Sequence, residues 1–239
     1  MTSEPQVSVV LPAFNETAIL STSIATIAIG LRAREISFEI IVVENGSHDG
    51  TLALAESLRA DHHELRVLHR DKADYGAALR EGLLAARGQT VVNFDCDYFD
   101  LGFLDLAVAA VGADDGPVIV VGSKRAEGAD DRRAWSRRLV TAVFSTLLRA
   151  GFGLQVTDTH GMKAMRRVVV EPYARQCSLG RDLFDTELIL RVERAGLAVT
   201  EFPVSVAETR PARTSIARRV PRTVVGLARL WSALRAAPR

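Results

Sequence analysis

Thr90-Val91-Val92-Asn93-Phe94-Asp95-Cys96-Asp97 decides how this chain is read. An apolar run long enough for a buried strand stops at two acids spaced one residue apart. Extended backbone sends side chains i and i+2 to the same side, so Asp95 and Asp97 project together. In open α/β sheets ligands sit just beyond the carboxyl ends of the strands. Two carboxylates at such a place suit a hard divalent cation such as Mg²⁺, which takes its remaining ligands from substrate phosphates. The stretch therefore predicts chemistry on a phosphorylated substrate. An Asp-x-Asp alone is a weak motif, because acids also cap turns after strands; its position after a buried strand is what gives it weight.

Outward from this point, short apolar runs alternate with helical patterns. Residues 7–11, 38–43, 65–68, 90–94 and 118–121 read as strands, and 18–34, 51–60 and 75–86 as helices. Strands alternating with helices of this length imply βαβ units, hence an α/β fold with a mostly parallel central sheet flanked by helices. Pro12 is expected to fix a turn after the first strand, with Asn15 or Thr17 capping the next helix and Asp49 capping the one after it. Beyond a polar stretch at 128–138 the pattern changes: a long amphipathic helix over 135–149, a helix over 184–195, extended residues 197–206, and a last helix over 220–234. No repeat or low-complexity linker divides the chain, so 1–209 is expected to form one domain followed by a basic segment and amphipathic helix over 210–239.

The net charge of +1 conceals an asymmetry. From Ser205 onward eight arginines face one acid, Glu208, a surplus of seven that leaves the rest of the chain at −6. A basic tail suggests an anionic partner. In its helix Val220, Val224, Leu227, Trp231 and Leu234 fall on one face, which either packs on the body or lies on a membrane surface. No run reaches the length of a spanning helix, and the first residues carry no basic or apolar leader pattern. Cys96 and Cys177 make no disulfide framework and no zinc spacing, which predicts a reducing, cytoplasmic location, at the inner membrane face if the tail touches lipid. The tail lacks aromatic interleaving and any nucleic-acid motif, so no nucleic-acid partner is expected. No Gly-x-Gly-x-x-Gly follows the first strand and no Gly-x-x-x-x-Gly-Lys-Ser/Thr occurs, which argues against a dinucleotide enzyme and a P-loop phosphohydrolase.

Two further strand ends carry polar groups. Glu16 and the loop around it could meet a base or ribose, although a plain strand-to-helix loop explains them equally. Glu44 could accept hydrogen bonds from a ribose or base edge, a role that capping does not explain. Pro12-Ala13-Phe14-Asn15-Glu16, then 44–51, then Gly76, Gly82 and Gly88, then Asp95-Cys96-Asp97 and Gly122-Ser123-Lys124, occur in the order seen in glycosyltransferase family 2, the GT-A fold enzymes, which this chain resembles over nearly its whole length. Asp158-Thr159-His160-Gly161-Met162-Lys163, Phe184-Asp185-Thr186-Glu187-Leu188 and Phe202-Pro203-Val204 with Arg210 and Ser215 resemble the branch of dolichyl- and polyprenyl-phosphate sugar synthases. The chain departs from the family's Asp-Asp-Gly-Ser at Glu44-Asn45-Gly46-Ser47, and from its closing Gly and Lys at Arg213 and Ile216.

The resemblance implies an inverting, metal-dependent transfer of a hexose from a GDP- or UDP-linked sugar. It implies Mg²⁺ or Mn²⁺ on Asp95 and Asp97, and a donor site that includes Pro12, Ala13, Phe14, Glu16, Glu44, Gly76 and Cys96. Arg210 and Arg213 would close on the diphosphate. A lipid-phosphate acceptor is ionised near neutral pH and needs no base; Lys124, Arg125 and Arg138 would hold it. A hydroxyl acceptor, soluble or glycolipid, would need a base from Asp182, Asp185 or Glu187, with Asp182 and Asp185 three apart on one helix face. The same acids also suit a helix N-terminus on dipole grounds alone. Glu44-Asn45 keeps a third class open, a non-catalytic sugar-nucleotide binding module.

Overall fold

The computed structural model describes residues 4–132, 135–206 and 216–236. In chain order the elements are β1 (Val7–Ala13), α1 (Leu20–Arg32), β2 (Phe38–Asn45), α2 (Thr51–Leu58), β3 (Leu65–Arg70), α3 (Tyr75–Ala85), β4 (Thr90–Asn93), α4 (Leu101–Gly112), β5 (Ile119–Ser123), β6 (Asp130–Asp131), α5 (Trp135–Phe152), β7 (Lys163–Arg166), α6 (Arg167–Gln176), a 3₁₀ turn (Arg181–Leu183), α7 (Phe184–Arg194), β8 (Val199–Pro203), β9 (Ser205–Val206) and α8 (Ile216–Ala236).

Seven strands form one sheet in the order β3-β2-β1-β4-β7-β5-β8, and β6 pairs with β9 apart from it. All neighbours in the large sheet are parallel except β7, which runs antiparallel to both β4 and β5. Six strands therefore end at one edge, and β7 begins there. Successive residues alternate between two cores: Val7, Val9 and Leu11 face α1 and α4, while Val10, Ile41 and Val43 face α3 and α7. Burial on both faces explains the near-continuous apolar runs. The chain order reverses between β1 and β4, so the crevice of this sheet opens beyond Ala13 and Asn93.

Pro12 lies inside β1, opposite Val43, and does not turn the chain. The β4 pairing reaches only Val10, so Pro12 sits where β4 has ended and no ladder partner misses its N–H. Neither Asn15 nor Thr17 caps α1, which begins after Ile19 without a side-chain cap. Asn15 accepts from His48 N (2.9 Å), and the Thr17 hydroxyl donates to Asp49 (2.8 Å), which also accepts from Thr51 N (3.0 Å). The expected caps instead tie the loop after β1 to the loop after β2.

Three elements go beyond the sequence reading: α4, capped by Asp100 through Gly102 N and Phe103 N, then β7, then α6. In α8 the inward face is also turned from the one expected. Leu230 and Leu234 are buried and Gly226 lies against Leu183, whereas Trp231 is half exposed beneath the Arg235 guanidinium. The side chains of Val220 and Val224 lie outside the described residues.

Gly161 approaches Gly122 so closely that a Cβ would fall 1.9 Å from the Gly122 carbonyl oxygen. Because backbone cannot yield as a side chain can, Gly161→Ala should lower the thermal midpoint by about 5–10 °C. Gly112→Ala, with open space around it, should leave the midpoint nearly unchanged in the same calorimetric comparison.

Candidate active site

The site begins where β4 stops. Asp95 and Tyr98 exchange two backbone hydrogen bonds of 3.1 Å, which closes a tight turn. Phe94 and Cys96 enter the core beneath it, and Asp97 is exposed above. The strand has ended at Asn93, so Asp95 and Asp97 meet through this turn, close enough for the charge of Asp97 to act on Asp95. The Asp95 carboxylate accepts from the Tyr75 hydroxyl at 2.9 Å. Burial raises the Asp95 pKa; the like charges of Asp97 and Asp185 add to this, while Tyr75 and Lys163 pull it down. Burial, with Asp95 and Asp185 nearby, holds the Tyr75 phenol well above its ordinary value, so it is a fixed donor.

Tyr75 is positioned by the start of α3. Asp74 caps this helix through Ala77 N (2.9 Å) and also accepts from Arg181 N (2.6 Å), which ties it to the turn before α7. Gly76 completes the junction: a Cβ there would lie 2.6 Å from the Arg181 carbonyl oxygen and 2.7 Å from Phe184 Cβ. The bareness of Gly76 thus serves helix packing.

That docking brings Asp185 beside Lys163, the first residue of β7. Lys163 is only 1% exposed; its Nζ donates to the Gly161 carbonyl at 2.7 Å and lies 3.1 Å from Asp185 Oδ1. The Asp185 contact is one of charge, since Oδ1 receives no hydrogen bond of good geometry. On the other side Asp158 accepts from His160 N (3.0 Å), and its Oδ2 lies 3.8 Å from Lys124 Nζ. Burial alone would raise the Asp158 pKa, but Lys124, the His160 N–H and Lys163 together bring it below the ordinary value. Glu201 grips this loop through Thr157 N, the Thr157 hydroxyl and Asp158 N, at 2.8–3.0 Å. Lys163, Asp158 and Glu201 did not stand out as site residues in the sequence; the signal available was the 158–163 motif itself.

The predicted residues sort by this geometry. Asp95, Asp97, Lys124 and Arg125 gather at the carboxyl edge, where Arg125 is exposed and its N–H is held by the Ser123 hydroxyl (3.1 Å). Arg138 is exposed on α5. Pro12 and Ala13 are buried at the end of β1, and Phe14 and Glu16 are half-buried in the loop beyond it. The Cys96 side chain turns inward, with its Sγ 3.7 Å from the Pro12 carbonyl. Glu44 is buried at the end of β2. Its oxygens accept from Ser47 N and His69 Nδ1, within the protein. Glu187, the third candidate base, is fully buried and receives Arg191 at both Nε (3.0 Å) and Nη2 (2.6 Å). Asp182 falls in the 3₁₀ turn rather than in α7, so it shares no α-helical face with Asp185; its side chain, and Arg210 and Arg213 entirely, lie outside the described residues.

Hard carboxylate oxygens on Asp95 and Asp97 fit a divalent cation. Among the described residues no cluster of three or more His, Cys, Asp or Glu could hold one. Such a two-carboxylate set suits an ion that draws its remaining ligands from phosphate and water.

The model of the Glycosyl transferase family 2 family matches residues 8–173. This α/β sheet with acids at its crevice is a GT-A fold, and the chain belongs to glycosyl transferase family 2. Glycosyltransferase AglD of Haloferax volcanii is 29% identical over 98% of the chain, which spans only 38% of that relative's length. An uncharacterized glycosyltransferase of Mycobacterium bovis is 30% identical, with 95% of this chain and 97% of the relative aligned. Polyprenol monophosphomannose synthase of Mycolicibacterium smegmatis is 32% identical over 71% of the chain and 66% of its own length. Among solved structures, glucosyl-3-phosphoglycerate synthase of Mycobacterium tuberculosis, with Mn²⁺, uridine diphosphate and phosphoglyceric acid bound, superposes with a TM-score of 0.68 at 23% identity, covering 98% of this chain and 80% of that one. The chain is thus a family 2 glycosyltransferase.

Two predictions test the wiring of the site. Lys163→Met strands a buried aspartate and should lower stability by about 3–5 kcal/mol, much of it recovered in Lys163→Met/Asp185→Asn, by denaturant midpoints. His69 has a raised pKa, chiefly because Glu44 accepts from its ring, with Asp71 adding charge. The stabilisation lent by a raised histidine is full below the ordinary imidazole value and drains as pH climbs through the folded-state value. His69→Gln should therefore cost more stability at about pH 6 than at about pH 9.

Proposed function

We propose that this chain transfers a hexose, with inversion, from a nucleotide-diphosphate sugar to a polyprenyl phosphate. The observation that carries the reading is the state of the candidate bases. Of the three candidates, Asp185 faces buried Lys163 and Glu187 is locked to Arg191, while the side chain of Asp182 lies outside the described residues; Asp158, a further acid at this edge, has a lowered pKa that makes it a poor proton acceptor. A hydroxyl acceptor needs a base, whereas a lipid phosphate reaches the reaction already charged. The same edge offers Lys124 and Arg125 to an anion. Relatives named for dolichyl- and polyprenol-phosphate acceptors support the same choice.

In this reading Asp95 and Asp97 hold Mg²⁺ or Mn²⁺, which supplies charge neutralisation to the departing nucleoside diphosphate. Tyr75 fixes the rotamer of Asp95, so that carboxylate is preorganised. Lys163 offsets part of the repulsion among Asp95, Asp158 and Asp185. The loop 157–160, gripped by Glu201, carries Asp158 and through it orients the Lys124 ammonium toward the edge. The donor's base sits beyond β1 and β2, among Phe14, Glu16 and the Glu44-held loop. Arg210 and Arg213 are assigned to the diphosphate, and the basic tail of which they are part to the membrane's inner face.

Asp97→Ala should lower turnover by about 100-fold or more with a nearly unchanged thermal midpoint, because Asp97 is exposed at the strand edge and outside both cores. Incubation of the chain with Mn²⁺, labelled GDP-mannose or UDP-glucose, and polyprenyl phosphate should yield a lipid-phosphate sugar. Product only on hydroxyl acceptors would overturn the phosphate assignment, and donor binding without release of nucleoside diphosphate under any condition would favour a binding module.

A further inference from the structure

Among the described residues, Asn15 (φ 57°), Glu35 (φ 54°) and Arg181 (φ 50°) have left-handed backbone without being glycine. Asparagine tolerates this region. Glu35 lies just past the end of α1, where chains commonly turn left-handed. Arg181 has neither reason. It opens the 3₁₀ turn before α7, and its Cβ makes costly a conformation that glycine adopts freely.

The surrounding structure enforces this strain. Asp74 accepts from Arg181 N at 2.6 Å and from Ala77 N at 2.9 Å, while its own N–H donates to the Asn45 side-chain oxygen at 2.8 Å. Gly180 lies so near Asp74 that a Cβ there would fall 2.5 Å from Oδ2. The bare Cα of Gly76 admits the Arg181 backbone from the other side. The turn is thereby clamped onto the start of α3, next to Tyr75, whose hydroxyl binds Asp95. All of these contacts fix the Arg181 backbone. Its side chain is exposed, and among the described residues the guanidinium has no hydrogen bond and no ion pair. Packing draws nothing from an arginine here that a glycine would not supply with less strain. A costly conformation occupied by a charged, unengaged side chain at the rim of a site points to a ligand.

We infer that Arg181 binds the phosphate of the lipid acceptor, reaching it from the α3–α7 side of the crevice while Lys124 and Arg125 approach from the end of β5. A guanidinium offers a planar fork of donors to phosphate oxygens. The turn leads into α7, whose Asp185 stands beside Lys163 of β7. That half of the sheet lies away from β2, where the donor's base is placed, so the acceptor phosphate is assigned rather than the donor diphosphate. The inference rests on the lipid-phosphate reading of the site and adds a binding residue to it.

The test titrates the full chain, with Mn²⁺ and GDP or UDP present, with farnesyl phosphate and with farnesol by calorimetry. Arg181→Gln removes the charge and keeps the backbone strain; Arg181→Gly removes both. Each should weaken farnesyl phosphate binding by about tenfold or more, with binding of farnesol and of the nucleotide nearly unchanged. Arg181→Lys should restore part of the phosphate affinity. Arg181→Gly should also raise the thermal midpoint by a few degrees, the opposite of what loss of a structural side chain does. Undiminished farnesyl phosphate binding in both charge-removing variants overturns the inference and leaves the lipid-phosphate reading standing. A loss confined to nucleotide binding overturns it in favour of the donor diphosphate. An unaltered chain that binds farnesyl phosphate no more tightly than farnesol overturns the lipid-phosphate reading itself, and the inference with it.

Discussion

A single buried ammonium group organises this site. Lys163 stands between Asp185 and Asp158 and bears electrostatically on Asp95. A lysine with almost no exposure is tolerable only where anions surround it. Conversely, three aspartates crowded at one strand edge would repel one another without it. The arrangement is mutual: the carboxylates make the lysine possible, and the lysine offsets part of their repulsion.

The backbone device behind this is β7. Inserted antiparallel between β4 and β5, it sets Lys163 directly beside Asn93 on one side and Val121 on the other. The two strand ends that carry Asp95 and Lys124 are thereby joined through one residue. The approach of Gly161 to Gly122 and the grip of Glu201 on Thr157 and Asp158 fix the entry to that strand. Charge and backbone thus converge on the same few residues, which is how a preorganised polar site withstands the cost of its own burial.

The rest of the edge is stiffened by loop-to-loop ties. Asn15, Thr17 and Asp49 hold the loops after β1 and β2 together, and Asp74 holds the start of α3 to the turn before α7. Four hydrogen bonds hold Asp49 ionised down to about 2, the Thr51 hydroxyl contributing most, so these ties persist well into acid. Glu44 shows how a family position can change its work. Buried and fully engaged by Ser47 and His69, it supports the loop that a donor would meet, and burial that alone would raise its pKa is outweighed by those contacts.

What the sequence determined by itself was whatever depends on local period and order. Short, near-continuous apolar runs alternating with helical stretches specified the mostly parallel α/β sheet, and the order of motifs specified the family. What only the tertiary structure decided were partners distant along the chain. Four residues of β7 are too few to show a period, so the burial of Lys163 was hidden in a motif that reads as loop. Asp185 and Glu187 look alike as acids opening one helix, yet one meets Lys163 and the other Arg191. Gly76, Cys96 and the inward face of α8 likewise took their roles from what packs against them. Sequence spacing fixes which side of an element a residue faces, but what waits on that side is set by contacts between segments a hundred residues apart.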